Sequence, residues 1–180
     1  MHSHLLTTLA ALAAPTFAFA QQELYLLDSA RDIYRVDDFA TAPTAVLVGS
    51  PVPPAPLVIT DIAFDQVTAA FYATSSQGGG ISGNRTLRID PVTFDVTDLG
   101  STNLAAYHSL DASADGRLFG YGRSFSELSA FETSDGSSTG LAAILPNSSE
   151  GDLAIDLDGA LIADTQAGDF YRFDPRNGVG

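Results

Sequence analysis

GDLAIDLDGALIADTQAGDFYRFDP, residues Gly151 to Pro175, holds three short apolar runs: Leu153–Leu157, Ala160–Ala163 and Phe170–Phe173. Asp158-Gly159 divides the first two, and Thr165-Gln166-Ala167-Gly168 separates the second from the third. Runs this short, bounded by Asp-Gly and Gly clusters, spell consecutive antiparallel strands joined by hairpins. The same phrase returns three more times upstream in degraded form.

Strands ending in an acid recur as Ile33-Tyr34-Arg35-Val36-Asp37, Leu87-Arg88-Ile89-Asp90, Ser129-Ala130-Phe131-Glu132 and Tyr171-Arg172-Phe173-Asp174. Their acids step by 53, 42 and 42 residues. A second series starts at Asp61, Ser109 and Asp152, and a third is Leu24–Asp28, Ala70–Ala73, Leu118–Tyr121 and Leu161–Asp164. A looser run closes each unit at Ala45–Val48, Val96–Leu99 and Leu141–Leu145. Four strands in each unit of roughly 40–50 residues is the signature of propeller blades. A blade packs between two neighbours and is apolar on both faces, so its strands read as continuous apolar runs.

The fold expected is therefore all-β: a β-propeller of four-stranded antiparallel blades, incomplete at about three and a half blades. The units span about 23–50, 58–100, 108–146 and 151–180, within a domain covering 21–180. With strands lettered a to d from the axis outward, the chain reads b-c-d, a-b-c-d, a-b-c-d, a-b-c. Fourteen strands fall short of a closed ring, so the sequence is expected to be a piece of a larger one with two apolar blade faces uncovered.

Residues 1–20 are expected to be a secretory signal, with an apolar core at Leu5–Ala14 and Ala18-Phe19-Ala20 before the cleavage point. That places the domain in the periplasm, at the cell surface or outside. No segment is long enough to span a membrane as a helix. Asp and Glu total 22 against 8 Lys and Arg, all of them arginine, for a net charge of −14. Such a surface repels phosphate backbones and anionic lipid, so neither nucleic acid nor a membrane surface is an expected partner. Cysteine is absent, and the domain must hold together by packing.

The phrase Ala154–Thr165 followed by Phe170–Asp174 resembles the blade consensus of secreted bacterial propellers of the NHL, YVTN, regucalcin-like and strictosidine-synthase-like kinds. The resemblance covers about 23–175 and implies a fold, because such rings host hydrolases, lyases, lectins and scaffolds alike. The leading expectation is an exported, non-catalytic binding or scaffold module for a protein or carbohydrate ligand, without a cofactor. The alternative is a metal-dependent hydrolase or lactonase of the regucalcin-like kind.

Three residue patterns bear on that choice. Arg35/Asp37, Arg88/Asp90 and Arg172/Asp174 put a cation and an anion on one strand face, expected to form a ladder of ion pairs between blades. Asp156–Gly159 and Ala114–Gly116 look like calcium-loop openings. The strands that follow leave no later ligands, and a type I′ hairpin turn is expected instead. Strand a lies innermost, so its start faces the axis. Asp61, His108 and Asp152 are the candidate ligands there for calcium or another metal, with Thr60, Ser109, Glu150 and Gly151 adjacent. His108 is the only histidine outside the signal segment. Nucleophile elbows, phosphate-binding loops and zinc spacings are absent.

Overall fold

A computed structural model describes residues 24–38, 41–77, 84–102, 107–122, 127–143, 152–156, 158–164 and 168–173. The expected signal segment 1–20, the Gly-rich stretch 78–83, Asn147–Glu150, Gly151 and Asp174 lie outside these residues. Fourteen strands are described, with no helix among them. Blade 1 is β1 (Leu24–Leu27), β2 (Ile33–Asp37) and β3 (Thr44–Gly49); blade 2 is β4 (Leu57–Asp65), β5 (Ala70–Gln77), β6 (Arg85–Ile89) and β7 (Val96–Ser101). Blade 3 is β8 (Tyr107–Ala112), β9 (Leu118–Gly122), β10 (Glu127–Phe131) and β11 (Ser138–Ala143); blade 4 is β12 (Leu153–Ile155), β13 (Leu161–Asp164) and β14 (Phe170–Phe173). Every sheet is an antiparallel meander in chain order. The strands group as three, four, four and three, as the repeat predicts.

Alternation along each strand decides which neighbour a side chain meets. In β5, Phe71 and Ala73 pack with Ile33, Tyr25 and Leu27 of blade 1, while Ala70 and Tyr72 pack with Leu110 and Leu118 of blade 3. In β9, Leu118 turns to blade 2, and Phe119 and Tyr121 turn to Leu153, Leu161 and Ala163 of blade 4. Among the described residues, three separate apolar seams result, one at each blade-to-blade junction. The first seam is aromatic: the Tyr25 ring lies 4.7 Å edge-on from Phe71 and 5.1 Å from Phe64. Ring pairs at such separations add about 0.5–1.5 kcal/mol beyond the area they bury.

Glycines mark where blades come closest. A Cβ on Gly136, in the β10–β11 loop, would lie 2.9 Å from Thr86 Cβ of blade 2, and Thr86 Oγ1 donates to the Gly136 carbonyl at 2.8 Å. A Cβ on Gly49 would strike the ring of Phe94, which crosses from blade 2 to cover blade 1.

The a–b hairpins correct the expected turn type. Gly159 N donates to the Asp156 carbonyl and Asp156 N to the Ala160 carbonyl, with Gly159 at φ +80°. Ser113–Arg117 repeats the pattern with Gly116 at φ +80°. Glycine is therefore the left-handed bulge residue after the turn, not one of two central residues with positive φ. Asp156 Oδ1 accepts from Asp158 N and Ala160 N, so the carboxylate builds the turn.

Candidate functional site

The inner strands β4, β8 and β12 stand side by side around the axis, and their carboxylates join them. Asp61 Oδ2, on β4, accepts the Leu110 amide of β8 at 2.6 Å. Asp111 Oδ2, on β8, accepts the Ile155 amide of β12 at 2.7 Å. Each carboxylate also takes the amide of the residue after it, Ile62 for Asp61 and Ala112 for Asp111. An inner-strand aspartate is thus a clasp, one half on its own strand and the other on the next blade.

Electrostatics around the clasps follow from burial. Withdrawal from water pushes Asp61 up to about 7 against the pull of its two amide donors, with Asp152 and Asp111 adding repulsion. Burial also raises Asp111, again with Asp152 nearby. Asp152 is exposed; its Oδ1 accepts Leu153 N at 2.8 Å, and its backbone amide donates to Asp164 Oδ1. Ser109, which holds on β8 the position of Asp61 and Asp152, is fully buried, and its Oγ meets no hydrogen-bond partner among the described residues.

Of the residues proposed to hold a metal, Asp61 and Asp152 come close enough to repel one another, and His108 lies in β8. Among the described residues, no three His, Cys, Asp or Glu side chains gather where one ion could be held. Asp111, which sequence reasoning did not single out, is the second clasp. Its signal was an acid two residues past the repeat position, beside the apolar Leu110.

Beside the clasps, β1, β4, β8 and β12 bound an axial cleft of about 270 Å³ walled by Tyr25, Ile62, Phe64, Ala154 and Ile155, with Asp111 as its charged group. A second, polar notch of about 280 Å³ lies between the hairpins of blades 3 and 4, among Ser113, Asp115, Arg117, Asp156 and Asp158. The Asp115 and Asp156 carboxyls are held below their ordinary range by side-chain hydrogen bonds, from Ser113 and Arg172 respectively. They are occupied in building the hairpins.

The arginines correct the expected ladder between blades. Arg35 Nε pairs with Asp37 on its own strand at 2.7 Å, and Arg172 reaches Asp156 at 2.8 Å within blade 4. Asp90 accepts from Val92 N and Thr93 N and opens the β6–β7 loop, as a turn-starting aspartate does.

No family model matches the chain, and neither does any curated protein. Solved structures do. A protein of unknown function from Bacteroides thetaiotaomicron is 16% identical, with a TM-score of 0.59 over 87% of this chain and 43% of that one. A gluconolactonase from Xanthomonas campestris is 17% identical, with a TM-score of 0.59 over 89% of this chain and 57% of that one. A nidogen/laminin complex gives 14% and 0.54, over 83% and 60%. The chain thus spans 43% to 60% of the lengths of these structures. At such identities the likeness concerns fold alone, and the fold is that of propeller-like proteins: an incomplete all-β array of antiparallel blades.

Proposed function

We propose that this chain is a binding or scaffold module of an exported β-propeller, without catalytic chemistry of its own, that takes a protein or carbohydrate ligand in the periplasm or outside the cell. One observation carries this reading: the buried carboxylates of the inner strands are committed to amides of the neighbouring blade. A carboxylate spent on two amides supports register between blades and is poorly placed to ligate an ion or move a proton. The axial cleft, with Tyr25 and Phe64 in its wall and one carboxylate, offers a surface for a ligand that combines an apolar face with a hydrogen-bond donor.

The competing reading is a calcium-dependent hydrolase or lactonase with Asp61, His108 and Asp152 near the ion. Its support is the unpartnered Ser109 hydroxyl among residues of the same inner-strand position. Thermal unfolding with and without millimolar calcium separates the two. The module reading expects the same midpoint in both. A rise of several degrees that Asp61→Asn and Asp152→Asn each abolish would replace it with the metal-dependent reading.

A further inference from the structure

Three Asp-Gly pairs stand in turns: Asp115-Gly116 between β8 and β9, Asp135-Gly136 between β10 and β11, and Asp158-Gly159 between β12 and β13. An Asp-Gly pair lets the backbone attack its own side chain with the least hindrance, because glycine has no Cβ to shield its nitrogen. In all three the glycine is held alike. Its amide donates at 2.9 Å to the carbonyl of Ser113, Glu132 or Asp156, and its φ is +80°, +72° or +80°. The surroundings of the aspartate differ.

Asp115 Oδ1 accepts the Ser113 hydroxyl, and Arg117 Nε reaches Oδ1 at 3.1 Å and Oδ2 at 3.0 Å. Asp135 Oδ1 accepts Ser137 N at 2.9 Å and the Ser137 hydroxyl at 2.7 Å. These bonds hold both carboxyls below their ordinary range, in the ionised form that is the poorer electrophile. Blade 2 also boxes in both glycines: a Cβ on Gly116 would meet Val67 at 3.0 Å, and one on Gly136 would meet Thr86 at 2.9 Å. Among the described residues, Asp158-Gly159 has neither restraint. The Asp158 side chain is 88% exposed and stands 4.0 Å from the Arg172 guanidinium, too far for a hydrogen bond. A Cβ on Gly159 would meet nothing within 4 Å. Val67 and Asp115 take the same turn position in blades 2 and 3, and beside a following blade they remain 62% and 61% exposed, so a neighbour leaves this position open.

We propose that Asp158-Gly159 is a site of spontaneous covalent modification, where the folded chain converts aspartate to isoaspartate. The Gly159 nitrogen attacks the Asp158 side-chain carboxyl carbon. An N–C bond forms as the carboxyl C–OH bond breaks, and the amide proton leaves with that hydroxyl as water, closing a cyclic imide. A second water opens the ring. Cleavage beside the side-chain carbonyl restores aspartate. Cleavage beside the backbone carbonyl leaves the chain running through Cβ and Cγ, with the former backbone carbonyl freed as a carboxylate. One water leaves and one enters, so the composition is unchanged. The product adds a methylene to a turn whose length is set by Gly159 N on the Asp156 carbonyl and Asp158 N on Asp156 Oδ1. That turn walls the polar notch between blades 3 and 4, which the modification would reshape.

The test is a time course of the 180-residue chain at neutral pH, folded and in concentrated urea. Isoaspartate is located by an endoproteinase that cuts before aspartate but not before isoaspartate, with mass spectrometry of the fragments. In the folded chain Asp158 should convert about tenfold faster than Asp115 or Asp135, the factor for first breaking a hydrogen bond to a charged group. In urea the three should convert at similar rates. Arg117→Ala, at an exposed position, should speed conversion of Asp115 in the folded chain and leave that of Asp158 unchanged. Deamidation at Asn177-Gly178, outside the described residues, is told apart because it raises the mass, whereas isomerisation of aspartate does not. Absence of isoaspartate at 158 in the folded chain, equal folded rates at the three pairs, or an Asp158 preference that persists in urea would overturn the proposal.

Discussion

Asp61 sets the protein's response to pH. A carboxyl whose folded pKa, about 7, lies above its ordinary 3.8 keeps its proton in the folded state between those values. Its contribution is therefore complete below the unfolded pKa and lost as pH rises through about 7. Asp111 is raised and acts with the same sign. Asp37, Asp90, Asp115, Asp135 and Asp156 are lowered by their hydrogen bonds, so their contribution is present at higher pH and fades as acid protonates them. Stability should peak between these windows and decline from pH 5 to pH 8, with Asp61 contributing up to about 3 kcal/mol of that decline. Urea midpoints across that range check the slope. Asp61→Asn, which keeps an acceptor without the charge, should flatten the decline and be more stable than wild type at pH 8. A wild-type midpoint that climbs with pH would refute this. Arg172 belongs to the same scale with a smaller stake: it is exposed and pairs with Asp156, so Arg172→Ala should cost less than about 1 kcal/mol by the same measurement.

Between elements, the seams are held at distances that only glycine permits. Gly136 and Gly159 both sit at positive φ, +72° and +80°, so alanine at either meets the same backbone penalty of about 1–2 kcal/mol. They differ in what a Cβ would touch: Thr86 and Leu99 of blade 2 at Gly136, and open space at Gly159. Gly136→Ala should therefore cost about 1–3 kcal/mol more than Gly159→Ala, the excess being overpacking at the blade 2–blade 3 seam. Equal costs in chemical denaturation would mean that this seam is not packed as described. The elements themselves were legible in the sequence, because short apolar runs and punctuating Asp-Gly pairs are local signals. The hairpin geometry was half legible: Asp-Gly announces a residue with positive φ but not whether it lies inside the turn or after it. Arg35 meets the Asp37 that the sequence sets beside it, but the Arg172 partner, Asp156, was not legible, since a two-residue spacing says which face a side chain takes and nothing about the hairpin it reaches.

Over the whole molecule, the repeat period foretold how the sheets would stack and which strand would be innermost. What it could not foretell was the use of the inner carboxylates. Asp61 and Asp111 find their donors 49 and 44 residues away, on amides that any sequence would supply. The sequence shows a position rich in acids around an axis, and only the neighbouring strand shows which amides Asp61 and Asp111 meet. The account depends on β4, β8 and β12 being adjacent inner strands, and those two cross-blade hydrogen bonds report that adjacency. The most direct test is a nuclear Overhauser spectrum of isotopically labelled protein. Cross-peaks from the Leu110 amide proton to the Asp61 side chain, and from the Ile155 amide proton to that of Asp111, are predicted. Finding both amides assigned, with neither cross-peak present, would contradict the blade arrangement.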